Sequence, residues 1–226
     1  MTAPIRVLLV DDDPLLLSGL TMMLGGTDQI QVAGQARDGR YVLAAVDLHH
    51  PDVVLMDIRM PRLDGIAATR LLRAQPSPPQ VIVLTTFDAD ELVLRALQAG
   101  AAGFLLKDSA PADIVAAIQV VHAGDGSLSP AIARRLISLV AGDPDTAARQ
   151  DQARRRLASL TPREHQVAVA IAQGHSNADI ATQLHMSVAT VKAHVSRLLA
   201  KLGAANRVQI ALLVQHAATS CPHDTR

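Results

Sequence analysis

The sequence predicts two domains: an α/β domain with a five-stranded, parallel, doubly wound sheet, followed by an all-α domain of four helices. In the first half, short apolar runs alternate with helix-period segments, which is typical of a parallel sheet covered on both faces. In the second half, helix start and stop signals follow one another closely. A length of 226 residues suits two domains, and 49% hydrophobic residues supply enough apolar material for two cores.

The five strands are predicted from their apolar composition. They are Ile5 to Val10, a shorter candidate at Gln31 to Gln35, Val53 to Met56, Val81 to Leu84, and Gly103 to Leu106. Ligands of such sheets bind beyond the carboxyl ends of the strands. The residues directly after each run are therefore the first candidates for chemistry.

Polar residues follow four of these strands. They are Asp11 and Asp12 after the first, Asp57 after the third, Thr85 after the fourth and Lys107 after the fifth. Carboxylates crowded on one rim repel one another, and a hard cation such as Mg2+ offsets that repulsion. Asp57 is a candidate nucleophile toward a phosphoryl donor, with Mg2+ and the Lys107 ammonium neutralising the developing charge. Thr85 would supply a hydroxyl to a phosphoryl oxygen.

A structural interpretation of these aspartates stays open, because an Asp at a strand end often only caps the next helix. Asp13 before Pro14 has this character, with Pro at the first helical position. Beyond the candidate nucleophile, Met60-Pro61 and Asp64-Gly65 predict a tight loop. There Gly65 would permit a backbone conformation that other residues resist.

The joint between the domains is predicted to be a linker over residues 127–156. Pro130 to Val140 has a helical pattern, and Gly142 to Arg156 contains almost no large apolar residues, so it is expected to be flexible. Within it, Arg154 to Arg156 is interpreted as the start of a solvated helix or as a basic arm. Residues 218–226 are expected to form a flexible tail.

Four helices are predicted after Leu160. Thr161 to Glu164 has the pattern of a capping box with Pro162 at the first helical position, and Gly174 ends that helix. Ser176 or Asn177 caps the second helix and Ser187 the third. The four helices run to about Ala172, to Leu184, from Val188 to Leu202, and from Arg207 to Gln215.

The third of these helices has two distinct faces. Its apolar residues are expected to face the core, and they are Val188, Val191, Val195, Leu198, Leu199 and Leu202. Its polar residues would face outward, and they include Thr190, Lys192, His194, Ser196, Arg197 and Lys201. Two helices joined by a short turn, the second one basic, form the pattern of a helix-turn-helix DNA reader. By itself, a basic amphipathic helix is more often an ordinary surface helix.

Four motifs in the first domain resemble the receiver domain of bacterial two-component response regulators, which is flavodoxin-like. They are Val10 to Asp13, Val53 to Gly65, Leu84 to Thr86, and Gly103 to Lys107. The resemblance implies that a sensor histidine kinase phosphorylates Asp57. It also implies that Mg2+ is bound by Asp12, Asp57 and the Arg59 carbonyl, with Asp11 in support. Lys107 would contact the phosphate, and Thr85 with Phe104 would form the switch pair.

The second domain resembles the LuxR-type DNA-binding domain. The motifs are Leu160 to Glu164, Asn177 to Ala181, Met186 to Val195, and Lys201 to Gly203. By this resemblance Lys192, Ala193 and Ser196 meet base edges, whereas Thr190, Arg197 and Lys201 favour phosphates. Val208 and Leu212 on the fourth helix would supply the dimer contact, although core packing explains these two residues equally well.

Together the two resemblances identify the whole chain as a member of the NarL/FixJ family of response regulators. The expected boundaries are 1–126 for the receiver and 157–217 for the DNA-binding domain. The implied function is transcription control, in which Asp57 phosphorylation shifts the population toward a homodimer that binds an inverted-repeat operator in double-stranded DNA. RNA polymerase is a candidate partner. The inactive state would be either closed or simply monomeric.

Charge and composition agree with an acidic receiver domain and a basic DNA-binding domain. Residues 1–128 hold nine Lys and Arg against fifteen Asp and Glu, a net charge of −6, whereas residues 129–226 hold twelve against six, a net charge of +6. The single Cys221 excludes an internal disulfide framework. No secretory leader pattern or membrane-length apolar segment is seen, so a cytoplasmic protein without a membrane partner is expected.

Two other functions compete with this interpretation. A Mg2+-dependent phosphohydrolase would also use an aspartyl-phosphate, but it needs a second acid/base group, and the residue two positions after Asp57 is Arg59. The alternative is a constitutive DNA-binding protein whose first domain is a dimerisation scaffold, and the complete acidic set argues against that. The protein is therefore expected not to be an enzyme, apart from phosphotransfer onto Asp57 and slow self-dephosphorylation.

Overall fold

The computed structural model describes residues 3–85, 90–128 and 146–218. The chain divides into two compact units, Met1–Leu136 and Ile137–Arg226. The helix predicted at Pro130 to Val140 and the tail after residue 218 lie outside the described residues. None of the described helices is both long enough and apolar enough to span a bilayer.

The first unit is a parallel sheet with helices between the strands. Its elements are β1 (Ile5–Val10), α1 (Pro14–Leu24), β2 (Ile30–Ala36), a 3-10 turn (Gly39–Tyr41), α2 (Val42–His49), β3 (Val53–Asp57), α3 (Gly65–Arg73), β4 (Gln80–Thr85), α4 (Asp90–Gln98), β5 (Gly103–Leu106), α5 (Pro111–His122) and β6 (Ser127–Leu128). The strand order is β2-β1-β3-β4-β5-β6.

The five predicted strands are present, and a sixth extends the sheet. β6 has two residues, and Phe104 of β5 pairs in parallel register with Leu128. So short a strand carries no apolar run, which is why the sequence pattern did not indicate it. The parallel, doubly wound α/β class is confirmed.

Aliphatic side chains fill both faces of this sheet. On one face, α1 and α5 pack Leu17, Leu24 and Ile118 against Val7, Leu55 and other strand residues. On the other, α2 contacts β1 and β2 while α3 contacts β3. Burial on both faces explains why the strands are continuous apolar runs rather than alternating ones.

Helix starts in this unit follow the predicted chemistry. The Asp13 carboxylate accepts a hydrogen bond from the Leu15 amide at 2.8 Å, and Pro14 is the first helical residue of α1. In the same way Asp64 caps α3 by accepting from the Ala67 amide at 2.7 Å. These caps fix where the chain enters each helix after a strand end.

The reason for glycine at position 65 differs from the expected one. Gly65 does not have a positive φ. A Cβ placed on it would instead lie 1.9 Å from the backbone oxygen of Asp57. Glycine is therefore required here because α3 begins in close contact with the end of β3, and not because of a special backbone conformation.

The second unit is helical. Its described elements are α6 (Thr146–Leu157), α7 (Pro162–Ala172), α8 (Asn177–Gln183), α9 (Val188–Leu202) and α10 (Arg207–Ala218). The capping box of Thr161 with Glu164 is present, and Ser176 forms a second one with Asp179. Ser187 caps α9 and Gly203 ends it in the left-handed conformation. The four helices predicted after Leu160 are confirmed.

Helix α6 lies where the sequence indicated a flexible segment. It packs against α10, and Ala153 and Gln150 are buried. Small alanines let two helices approach closely, and Ala, Gln and Arg all have high helix propensity, so no large apolar residues are needed. Arg154 to Arg156 lie in its last turn rather than at its start, where positive charge suits the helix dipole.

The core of the second unit contains most of the residues expected from α9. Val191, Val195, Leu198 and Leu202 are buried among residues of α7 and α8. Val188 is different, since 43% of it is exposed. As the first residue of the helix it lies one turn before the packed stripe begins, so the expectation that it faces the core is wrong.

Candidate functional site

The carboxyl ends of β1, β3 and β5 bring together an acidic cluster and one lysine. Oxygen atoms of Asp11, Asp12 and Asp57 lie within 4.8 Å of one another. The Lys107 Nζ lies 2.6 Å from Asp11 Oδ2 and 2.9 Å from Asp57 Oδ1. Asp11 and Asp57 are buried, whereas Asp12 is exposed. The arrangement therefore places a buried carboxylate beside a cation at an edge that solvent reaches through Asp12.

Burial and charge act on these groups in opposite directions. Burial raises the pKa of the Asp57 carboxyl, the Lys107 ammonium lowers it, and the neighbouring Asp11 raises it, with a net upward shift. Burial alone would lower the pKa of Lys107, but contacts with Asp11 and Asp57 outweigh it and raise that pKa. Lys107 is therefore held as a cation between two carboxylates.

Both carboxylate oxygens of Asp11 have partners. Its Oδ1 accepts a hydrogen bond from the Asp13 amide at 2.9 Å. Its buried Oδ2 lies 2.6 Å from the Lys107 Nζ, so the ammonium offsets its charge. Asp11 therefore holds Lys107 beside Asp57.

The other residues expected at this rim occupy neighbouring positions. Asp57 pairs in register with Leu84, so Thr85 lies one residue further along the adjacent strand. Val83 pairs with Phe104, which places Thr85 and Phe104 on the same face of the sheet, and both are buried. Arg59 is exposed in the loop that follows β3.

Helix α9 presents most of the expected polar face. The residues proposed from the sequence as DNA contacts are all exposed, and they are Thr190, Lys192, Ala193, Ser196, Arg197 and Lys201. His194, which the sequence also predicts to face outward, is partly buried. The Ser187 hydroxyl accepts from the Thr190 amide at 3.0 Å, which fixes the amino end of the helix.

Lys201 makes a contact that the sequence did not indicate. Its Nζ donates to Glu164 Oε2 at 2.7 Å, and that same oxygen accepts from the Thr161 amide at 2.9 Å. These two hydrogen bonds, the one from Lys201 first, lower the pKa of Glu164 to about 2. The pair ties the end of α9 to the start of α7.

The two residues expected at a dimer contact differ in accessibility. Val208 is buried, so its side chain serves packing within the chain. Leu212 is only partly buried and does not belong to the core cluster of this unit. Of the two, Leu212 is the one that offers apolar surface to a partner.

Sequence reasoning missed a contact at the carboxyl end of β2. The buried Asp38 accepts from Arg62 Nε at 2.6 Å. Arg62 lies in the loop after Asp57, and it has a φ of 68°. Part of the signal was available, because Asp38 comes two residues after the shorter second strand and so lies beyond the carboxyl end of that strand.

Family comparisons cover both units of the chain. Residues 7–119 match the response regulator receiver domain, and residues 158–214 match the bacterial regulatory proteins of the luxR family. The two matches fall on the two groups of residues described above.

Whole-length relatives are similar across both parts. Response regulator GacA of Pseudomonas aeruginosa is 40% identical over 94% of this chain and 96% of its own. Transcriptional regulatory protein LiaR of Bacillus subtilis is 37% identical over 92% of this chain and 95% of its own. The crystal structure of ChrA, a response regulator in a heme-sensing two-component system, is 34% identical over 95% of this chain and 98% of its own, with a TM-score of 0.53.

Proposed function

Because this chain belongs to the response regulators that join a receiver domain to a LuxR-type DNA-binding domain, we propose that Asp57 is its phosphoacceptor. A sensor histidine kinase would supply the phosphoryl group in a Mg2+-dependent reaction. Phosphorylation would promote dimerisation and binding to an inverted repeat in double-stranded DNA. The observation that carries the proposal is the Lys107 ammonium held between Asp11 and Asp57.

The chemistry follows from the positions of these groups. A carboxylate oxygen of Asp57 bonds to phosphorus while the bond from phosphorus to the donor imidazole nitrogen breaks, and the bonding pair stays on that nitrogen. The Lys107 ammonium lies where charge grows on the phosphoryl oxygens, so it stabilises the transition state. Of the three clustered aspartates, Asp57 is the one at the end of β3. Gly65 packs closely against its backbone oxygen, which fixes the backbone there.

The acidic cluster suits Mg2+. The residues that would hold it are Asp12, Asp57 and the Arg59 carbonyl, with Asp11 in support. Support comes from the donor set itself, because oxygen atoms of the three carboxylates lie within 4.8 Å of one another. When bound, the ion offsets carboxylate repulsion and neutralises charge on the phosphoryl oxygens.

The switch would use Thr85 and Phe104. A phosphoryl group on Asp57 is expected to accept a hydrogen bond from the Thr85 hydroxyl, which lies one residue beyond the register partner of Asp57. Movement of Thr85 changes the space on the sheet face that it shares with Phe104. A local change at Asp57 would in this way alter the surface of the phosphorylated protein.

For the output unit, we propose that Lys192, Ala193 and Ser196 meet base edges. Thr190 and Arg197 would contact phosphates, and Lys201 would do so while retaining its bond to Glu164. Phosphate contacts set position and salt dependence, whereas base contacts set sequence preference. Two such units in a dimer would read half-sites one helical turn apart.

The test measures molar mass by light scattering on the full chain with Mg2+, with and without beryllofluoride as an acyl-phosphate mimic. Wild type should change from one chain to two, and Asp57→Asn should not. A constant mass in wild type would contradict phosphate-driven dimerisation. Dimerisation of Asp57→Asn to the same extent would contradict Asp57 as the phosphoacceptor.

A further inference from the structure

The loop between Asp57 and α3 is attached to the end of β2 by an ion pair. Asp38, two residues after β2, is buried, and its Oδ2 lies 2.6 Å from Arg62 Nε. Arg62 belongs to the loop of residues 58–64, which also contains Arg59. The contact joins two segments 24 residues apart in the sequence.

Two further observations concern how closely the surroundings constrain the backbone of this loop. Arg62 has a φ of 68°, in the left-handed region that side chains rarely adopt and that persists only where the surroundings impose it. Beside it, a Cβ on Gly39 would lie 2.4 Å from the Leu63 backbone oxygen. The turn after β2 therefore packs directly on the loop, with the ion pair next to that contact.

Local capping does not account for this carboxylate. Asp38 Oδ1 accepts from the Arg40 amide at 2.9 Å and so caps the short 3-10 turn. Its Oδ2 accepts from Arg62 Nε at 2.6 Å and, over a longer distance, from Arg40 Nε at 3.2 Å. Of these two arginines, only Arg62 belongs to the loop that contains Arg59.

We propose that Asp38 is a positioning residue for the phosphorylation site: through Arg62 it holds the loop that carries the Arg59 carbonyl, and so it increases affinity for Mg2+. This rests on the function proposed above. Groups that orient metal ligands without touching the metal commonly change metal affinity by tenfold or more.

The experiment compares Asp38→Asn, Arg62→Gln and the double variant with wild type, all as full chains. Asp38→Asn keeps the oxygen that caps the turn. Arg40→Gln is the matched control, because it removes an arginine from the same carboxylate without touching the loop. Mg2+ affinity is measured by calorimetry, and amide hydrogen exchange of Met60, Leu63 and Gly65 is measured without metal.

We expect each single variant to weaken Mg2+ binding about tenfold and to speed exchange of the loop amides about tenfold, with Arg40→Gln within about twofold of wild type. The double variant should match Asp38→Asn, since Arg62→Gln removes only the Arg62 contact that Asp38→Asn has already broken. A long-range charge effect would instead move Asp38→Asn and Arg62→Gln in opposite directions, and that result would overturn the proposal.

Unchanged affinity and exchange in both single variants would also overturn it. If Asp38→Asn does not fold, the result for Arg62→Gln decides, because the Arg62 side chain is largely exposed. Failure of wild type to bind Mg2+ or beryllofluoride would contradict the proposed function itself. The exchange measurement needs no metal, so it still shows whether Asp38 holds the loop.

Discussion

At the scale of single residues, each unit contains a lysine that joins separate elements through buried carboxylate oxygens. Lys107 contacts two carboxylates from the ends of β1 and β3. Lys201 contacts one, Glu164, at the start of α7. The two contacts of Lys107 concentrate charge at one site, as a reaction site requires. The contact of Lys201 instead fixes the orientation of α9.

Gly65 tests how closely the backbone packs around Asp57, the proposed phosphoacceptor. Gly65→Ala places a Cβ 1.9 Å from the Asp57 backbone oxygen, so the chain has to shift at the candidate phosphoacceptor. We expect a loss of about 1–3 kcal/mol in the free energy of unfolding, together with weaker beryllofluoride binding. Urea unfolding and a ligand titration on the full chain measure these effects.

Gly19→Ala is the matched control for that variant. Gly19 is also helical, but nothing lies within 4 Å of the added Cβ, so alanine should stabilise by about 0.5–1 kcal/mol. Similar effects of the two substitutions would contradict the close-contact explanation.

Glu164 predicts an acid dependence of the second unit. Its pKa is about 2 in the folded chain against an ordinary 4.5, because Lys201 and then the Thr161 amide bind the carboxylate. The stabilisation is complete above pH 4.5 and is lost as the pH falls toward 2, since the unfolded chain takes up the proton first. Urea unfolding followed through methyl NMR signals of Ile171 and Ile180 reports this unit.

Glu164→Gln should flatten the decline between pH 5 and pH 2, and Lys201→Met should flatten it as well. Removal of the lysine takes away the largest cause of the lowered pKa. Identical slopes in wild type and both variants would show that the ion pair does not control acid stability.

At the scale of elements, the sequence predicts a structure well where burial imposes a simple pattern. β1 and β5 begin and end where their apolar runs do, and α9 spans its predicted range, with Ser187 and Gly203 as its two caps. A strand buried on both faces is visible in the sequence as an apolar run. A helix end is visible because its free backbone amides and carbonyls need capping residues.

Elements defined by long-range contacts leave no such signature. Helix α6 packs against α10, and β6 pairs with β5. The rim residues were predictable because parallel strands end at one edge, whereas Arg62 bonding to Asp38 required the folded loop. The local sequence therefore predicts which polar residues lie at the strand ends, but it does not predict which loop residue each of them binds.

The exposed face of α9 predicts how DNA affinity divides between its residues. Arg197→Ala removes a proposed phosphate contact, so binding should weaken uniformly across sequences and the slope of log affinity against log salt should fall by about 1. Ser196→Ala removes a proposed base contact and should change preference among operator variants without altering that slope. Fluorescence anisotropy on selected and scrambled duplexes, at several salt concentrations, measures both quantities.

Equal effects of Arg197→Ala on selected and scrambled duplexes, with the smaller slope, would support the phosphate role. A change in sequence preference without a change in slope would contradict it. The same two measurements on a Lys201 variant would test its proposed phosphate contact. The ammonium donates one hydrogen to Glu164, and its other hydrogens can still bind phosphate.

At the scale of the whole molecule, the proposed phosphoacceptor and the proposed DNA-contact face belong to different compact units. The two parts of the sequence also differ in charge, since residues 1–128, with the acidic cluster, have a net charge of −6 and residues 129–226, with α9, have a net charge of +6. A change at Asp57 would therefore have to affect residues in a separately packed core. The proposed dimerisation would do so, because pairing two chains raises the effective concentration of the second DNA-binding unit at a repeated site.

Leu212 tests this dimerisation. It is partly exposed on α10 and lies outside the core cluster, so Leu212→Glu should leave the fold intact. In a dimer contact, however, it would bury an unpaired carboxylate, which disfavours association. Light scattering with Mg2+ and beryllofluoride should then show one chain instead of two, and affinity for an inverted repeat should fall toward that for a single half-site.

Val208→Ala distinguishes loss of an interface from loss of stability. Val208 is buried, so the smaller side chain should cost about 1–2 kcal/mol of unfolding free energy while the activated chain still dimerises. If Leu212→Glu dimerises like wild type, α10 is not the contact, and the receiver unit becomes the expected site of pairing. If both variants dimerise less in proportion to their lost stability, the effect arises from partial unfolding, and Leu212 has no role of its own at an interface.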